Sequence, residues 1–259
     1  MKITSGIKEK LGQIPLVHNL YNLYLTSLDL VYKPEDLTQE YYSTIKDLGD
    51  EELEHQIGRL TNFKEILKEI KTRKLEGDII EFGTWHGFSM LWIAYLSERL
   101  GIFGKKILGF DSFKGLPESE GRFIMGAFKE ATLKKCRRNL RKNKNLYPLT
   151  KKNIFVEQVE FGEKNKILNT ITNLKCQPFV FIHIDCDVSS SLREVFKVLK
   201  GNGRYELLAD ECFILFDDYG HPTQFKSAVA DIFEELNQYW KIKEHSQTKL
   251  TKNFRLVRK

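Results

Sequence analysis

Apolar residues in this chain follow two rhythms. From residue 78 onward, short runs rich in β-branched and aromatic residues alternate with longer stretches whose apolar positions step by three and four. Asp78–Phe82, Lys106–Asp111, Ile154–Glu157, Pro178–Asp185 and Cys212–Phe216 read as strands. The stretches from Phe88 onward, Ala127–Asn143, Glu163–Asn173, Leu192–Lys200 and Phe225–Leu236 read as helices. This alternation predicts an α/β fold, and the continuous apolar run of Pro178–Asp185 is what a parallel strand buried on both faces requires. Trp240–Glu244 and Phe254–Arg258 add a closing antiparallel pair, so the expected sheet is doubly wound, mostly parallel and seven-stranded. Residues 1–76 are helical in pattern: Leu16-Val17 and Leu20-Tyr21 recur at helical spacing, and Ile57, Leu60, Phe63, Ile66-Leu67 and Ile70 form an amphipathic stripe. They carry no chemical motif. They are read as an N-terminal helical cap on a domain of residues 77–259, covering one edge of its site and offering a surface to a second subunit. Tyr21, Tyr24, Tyr41 and Tyr42 in the cap read as packing.

The first strand opens into Gly83-Thr84-Trp85-His86-Gly87, and a helix follows from Phe88. Two glycines let a ligand approach the backbone with no Cβ in the way, and Ser89 falls where a first helical turn offers unpaired N–H groups. A dinucleotide-binding turn would read G-x-G-x-x-G after an apolar strand, whereas here the spacing is G-x-x-x-G and Glu81 sits near the strand's carboxyl end. An acid there suits a cofactor with a positive charge or an amino group. S-adenosylmethionine carries both a sulfonium and an α-ammonium. Asp111, 28 residues after Gly83 at the tip of the second strand, is placed to accept hydrogen bonds from ribose hydroxyls, with Ser112 beside it.

Acids close four strands in succession: Glu81, Asp111, Asp185 and Asp217-Asp218. Ligands of open α/β sheets bind at the carboxyl ends of the strands, so these groups are expected to converge on one crevice. Crowded carboxylates repel at a cost of several kcal/mol unless a cation neutralises them, which predicts a divalent metal. An all-oxygen set favours Mg²⁺, Ca²⁺ or Mn²⁺ over zinc.

Composition adds three points. At 259 residues the chain is long enough for one large α/β domain. Its formal charge of +6 is uneven: between Phe128 and Lys152 ten Lys/Arg face one acid, Glu130, a local +9 that leaves −3 elsewhere. That segment reads as the solvated face of a helix, with nucleic acid, membrane phosphates or a phosphorylated substrate as its other conceivable partners. Cys136, Cys176, Cys186 and Cys212 form no C-x-x-C pair, and Cys186 and Cys212 sit in apolar runs as small buried thiols would. With no signal-peptide pattern and no apolar run near the ~20 residues of a membrane span, the expected compartment is the cytoplasm.

Four motifs in order carry a family resemblance: Glu81-x-Gly83-x-x-x-Gly87-x-Ser89, Asp111-Ser112-Phe113-x-Gly115-Leu116-Pro117, Asp185-x-Asp187 and Asp217-Asp218-Tyr219-Gly220-His221. Together, over roughly residues 60–245, they resemble the macrocin O-methyltransferase (TylF/MycF-like) family, which has a Rossmann-like sheet and uses S-adenosylmethionine and a metal to methylate sugar hydroxyls. The resemblance implies that Glu81, Gly83, Gly87 and Ser89, with Thr84 and Trp85 in the same turn, hold the methionine end of the cofactor. It places Asp111 at the ribose, with Ser112 as a further cofactor-binding residue, and Asp185, Asp217 and Asp218 on a metal, with Mg²⁺ expected. The acid layout is also similar to catechol O-methyltransferase, but Val188 stands where that enzyme has its lysine base. Where the family reads D-x-D-x-Y-E-S, this chain has Asp185-Cys186-Asp187-Val188-Ser189-Ser190-Ser191, and Gly201–Glu211 is longer than the family's short turn.

The expected function is therefore metal-assisted methyl transfer from S-adenosylmethionine to a hydroxyl of a small-molecule or glycan acceptor: a glycan, nucleotide sugar or glycosylated natural product. Two alternatives stand beside it, a nucleic-acid methyltransferase using residues 128–152 and a catalytically silent cofactor-binding subunit. The first lacks an N/D-P-P-Y type loop after the fourth strand, so nucleic acid is set aside as the acceptor. The expected base is His221, which follows the metal pair directly, with Asp185 as the alternative and His183 as a core histidine. Removing the Asp217 carboxylate is expected to relieve repulsion and to keep or raise the stability of the metal-free protein.

Overall fold

A computed structural model describes residues 50–220, 223–248 and 250–259. The strands β1 (Asp78–Phe82), β2 (Ile107–Asp111), β3 (Ile154–Gln158), β4 (Phe179–Ile184) and β5 (Leu208–Phe216) pair in parallel, and β6 (Trp240–Gln247) and β7 (Lys252–Arg258) close the sheet, β7 lying antiparallel to both β5 and β6. Their order is β3-β2-β1-β4-β5-β7-β6, the doubly wound, mostly parallel α/β sheet expected from the sequence.

Both faces of the sheet are covered. Alternate strand residues explain how, since successive side chains of a strand point to opposite faces. Ile79, Phe181 and Phe213 pack under α1 (Asp50–Thr72), α2 (Phe88–Leu100) and α3 (Leu133–Lys142). Ile80, Ile182 and Ile214 pack under α4 (Lys164–Asn173), α5 (Ser189–Leu199) and α6 (Thr223–Leu236). Every residue of β1 and β4 is buried, as central parallel strands demand.

The second part of the predicted cap, α1, lies on this core. Phe63, Ile66, Leu67 and Ile70 of its stripe are buried, and the Phe63 ring stands edge-on to Phe181 and His183 of β4. The helix is tied to the closing strands by Asn62, whose Nδ2 donates to Thr251 Oγ1 at 2.8 Å while its Oδ1 accepts from Asn253 Nδ2 at 2.5 Å. Residues 1–49, with the Leu16–Tyr21 pattern, the four cap tyrosines and the surface expected for a second subunit, lie outside the described residues.

Three boundaries differ from the sequence reading, each for a physical reason. The helix expected from Ala127 starts at Leu133, because Phe128 takes a positive φ of 66° and Thr132 caps the helix, its side chain accepting from Lys135 N. α5 starts at Ser189 rather than Leu192, because the distant Glu120 caps it: Oε2 accepts from Ser189 N at 2.8 Å and from Ser189 Oγ at 2.6 Å. β5 begins at Leu208, inside the stretch read as a long turn, because Asp210 and Glu211 are paired with Arg258 and Arg255 of β7.

Candidate active site

Strand order reverses between β1 and β4, and their carboxyl ends form the floor of the site. There the chains run unusually close. Asp185 N donates to Phe82 O and Gly83 N donates to Phe110 O, both at 2.9 Å. Gly83 holds φ +91°, and a Cβ added to it would lie 1.7 Å from the Asp185 carbonyl oxygen, a backbone atom that cannot swing aside. Gly83→Ala is expected to destabilise the fold by about 2–5 kcal/mol, combining left-handed strain with overpacking. Denaturant unfolding checks this; an unchanged midpoint would contradict the geometry.

The turn after β1 is held by Asp111. Its Oδ2 accepts from Thr84 N at 2.9 Å and Trp85 N at 2.8 Å, and its Oδ1 accepts from Phe113 N at 2.6 Å. Burial lifts this carboxyl above its ordinary range, with the three amides opposing the shift. Asp111, Ser112, Gly83 and Trp85 line a cavity of about 560 Å³, within the range of sites that hold nucleotide-sized ligands. The other four expected cofactor residues stand behind that wall. Glu81 is fully buried with Oε2 3.5 Å from His183 Nδ1, Thr84 is buried, Gly87 packs on Cys136, and Ser89 Oγ accepts from Arg59 Nη1 at 3.2 Å. They shape the turn from within the protein.

At the other end of the cavity the acids do converge, but a side-chain cation is already among them. Arg59 of α1 donates from Nε to Asp217 Oδ1 at 2.7 Å and from Nη2 to Asp217 Oδ2, and Nη2 lies 3.5 Å from Asp185 Oδ2. His55, one turn earlier, places Nε2 3.0 Å from Asp217 Oδ2. Burial would raise the Asp217 carboxyl, but the charges of Arg59 and His55, with hydrogen bonds from His183 and His55, hold it well below the carboxylate range. Asp185 and Asp187 go the other way: burial, and then neighbouring carboxylate charge, push both well above it.

Neither Arg59 nor His55 was singled out from the sequence. The signal was present as polar residues on an apolar face: positions 55, 59, 62, 63 and 66 follow helical spacing, so a histidine, an arginine and an asparagine share the buried side of α1 with Phe63 and Ile66.

Among the described residues, three groups of side chains bring ligand atoms within 4.8 Å of one another: Asp185, Asp187 and Asp218; His183, Asp185 and Asp217; and His55, Asp217 and Asp218. The expected trio of Asp185, Asp217 and Asp218 is not among them; Asp217 meets Asp185 in one group and Asp218 in another, and both its oxygens also accept from Arg59. His221, the expected base, lies outside the described residues. His183 is fully buried between Glu81 and Asp217; burial alone would lower its pKa, yet these carboxylates raise it to about 9. His86 is buried against Trp85, and burial lowers its pKa.

Comparison with known proteins agrees with this architecture. The sequence profile described as macrocin O-methyltransferase (TylF) matches residues 55–245. No curated protein sequence matches the chain. Among solved structures, the O-methyltransferase NovP is similar with a TM-score of 0.58 and 18% identity over 78% of this chain and 81% of its own. CalS11, a calicheamicin methyltransferase, is similar with a TM-score of 0.60 and 15% identity over 94% and 93%. Its apo form, described as a TDP-rhamnose 3'-O-methyltransferase, gives 0.52 and 13% over 94% and 95%. At these identities the structures show a shared fold, and the profile, which spans well over half of the chain, shows the family. The chain belongs to the macrocin O-methyltransferase family of S-adenosylmethionine-dependent O-methyltransferases.

Proposed function

We propose that this protein methylates a sugar hydroxyl with the help of a divalent cation. One observation carries the reading: carboxylate oxygens of Asp185, Asp187 and Asp218 lie within 4.8 Å of one another at the edge of a cavity whose opposite wall is the Asp111 turn. The donor chemistry fits a hard cation, because the Asp185 and Asp187 carboxyls, raised by burial and by neighbouring carboxylate charge, gain most from a positive charge beside them. Asp185 and Asp218 would hold the ion. The third ligand is Asp187 while Arg59 keeps Asp217, and Asp217 if Arg59 releases it. Once bound, such an ion lowers the pKa of a coordinated hydroxyl and fixes its position.

S-adenosylmethionine supplies a methyl group already activated by its sulfonium, so positioning and proton removal remain for the protein. Asp111 fixes the Thr84–Trp85 turn under the cofactor and faces the cavity where ribose hydroxyls would lie. Trp85 and Phe128, edge-on at 5.8 Å, form an apolar wall that excludes water. Proton removal falls to Asp185 or to His221. Arg122 on the cavity wall suits the diphosphate of a nucleotide sugar. The family's description and the printed activity of CalS11 support a sugar acceptor.

The test is transfer of labelled methyl to a panel of TDP- and UDP-deoxysugars, glycosylated natural products, a catechol and RNA. Label on a sugar oxygen alone is the expected outcome. Transfer only to catechol or RNA, or tight cofactor binding with no transfer to any member, would overturn the sugar reading.

A further inference from the structure

We infer that the protein docks peripherally on anionic membrane surfaces through a patch built from α3 and the loop that precedes it. The outer face of α3 is wholly basic: Cys136 and Leu140 turn inward, leaving Lys134, Lys135, Arg138, Arg141 and Lys142 exposed on the other side. These positions share one side of the helix. In the loop that precedes α3, Ile124 and Met125 are 71% and 66% exposed, which makes them the most exposed large hydrophobic residues among those described.

Loop and helix rest on the same two residues. The Phe128 ring stands on Trp85, and Glu130 Oε1 accepts from Trp85 Nε1 at 2.8 Å, while Asn139 of α3 donates to the carbonyl of the adjacent His86 at 3.0 Å. Lys135 Nζ closes the link by donating to Glu130 O at 2.7 Å. The Trp85–His86 turn therefore fastens the base of the loop to α3.

Two adjacent large aliphatic side chains exposed to water gain free energy when an apolar phase covers them. Lipid offers both halves of what this patch lacks, an acyl boundary for Ile124 and Met125 and phosphates for the cations. A nucleic acid would meet the charge but not the aliphatic tip, which has no face on which a base could stack. Phe123 and Phe128, on either side of the tip, line the cavity. Docking would thus set the cavity mouth at the lipid surface, whatever the acceptor is.

Co-sedimentation of the full chain with vesicles tests this. Binding is expected to phosphatidylcholine vesicles containing phosphatidylglycerol, not to phosphatidylcholine alone, and to weaken with salt. Arg138→Gln/Arg141→Gln, which removes two charges at about 1 kcal/mol each, should lower the partition coefficient about 30-fold. Ile124→Ser/Met125→Ser should lower it about 10-fold or more. Both pairs should leave S-adenosylmethionine affinity unchanged by calorimetry, since none of the four side chains lines the cavity. The inference is overturned if the wild type ignores anionic vesicles, or if either pair binds them like the wild type. It is also overturned if duplex RNA displaces the protein from vesicles at equal charge concentration, or if the protein sediments equally without lipid.

Discussion

Replacing Arg59 with alanine is expected to lower the melting temperature by roughly 6–20 °C. Arg59 is the fork that neutralises Asp217, a fully buried carboxylate, and it reaches Asp185 as well. Deleting one member of a buried pair strands the other's charge at a cost of about 3–5 kcal/mol, and a domain of this size shifts by roughly 2–4 °C per kcal/mol. The sign with pH follows from the native shift. The Asp217 carboxyl is held below its unfolded value, so the pair's contribution is present above the ordinary carboxylate range and is lost as pH falls through the native value. The alanine variant should therefore lose most at neutral pH and least in acid. Arg59→Met/Asp217→Leu, which removes both charges, should recover most of the loss. Thermal scans at both pH values settle the matter: a shift under 2 °C at neutral pH would mean that Arg59 does not hold Asp217.

A second large effect is expected at the acids, where stability and activity separate. Asp218→Asn removes a carboxylate common to either ligand set and should lower methyl transfer about 100-fold or more, since even residues that only orient ligands cost 10–100-fold. Asp187→Asn should weaken Mn²⁺ affinity in calorimetry while leaving the metal-free protein as stable as the wild type or more so, because it relieves repulsion among Asp185, Asp187 and Asp218. Asp217→Asn should destabilise the metal-free protein, because Arg59 and His55 lose their partner. This reverses the expectation drawn from the sequence, in which no cation faced Asp217. Equal stability of the Asp187→Asn and Asp217→Asn proteins would show that the two acids share one environment.

The sheet was legible because its central strands are buried on both faces, and apolar residues fill every position of Phe179–Ile184 except His183, which lies between two buried acids. The elements misjudged are those stabilised from a distance. Ser189–Ser191 are poor helix residues until Glu120 caps them, and Asp210–Glu211 look like a turn until arginines of β7 pair with them. The site was legible in its strand-end acids, since topology alone carries Asp111, Asp185 and Asp218 to one cavity. What sequence pattern does not convey is which charge answers which. Acids at four strand ends pointed to a metal as the whole counter-charge, whereas part of it comes from Arg59, 126 residues before Asp185 in the chain and brought to it by the packing of α1. Glu81 likewise read as a ligand group because it stands at a strand end, but its place in the alternation of β1 turns it toward His183 instead.

Methyl transfer to a sugar acceptor, followed with labelled S-adenosylmethionine in protein stripped of metal, tests the account most directly. Transfer should be lost in excess EDTA and restored by Mg²⁺, while S-adenosylmethionine affinity measured in the same solutions stays constant because Asp111 and the Gly83 turn need no ion. Undiminished turnover in EDTA would contradict the assignment of Asp185 and Asp218 to a cation.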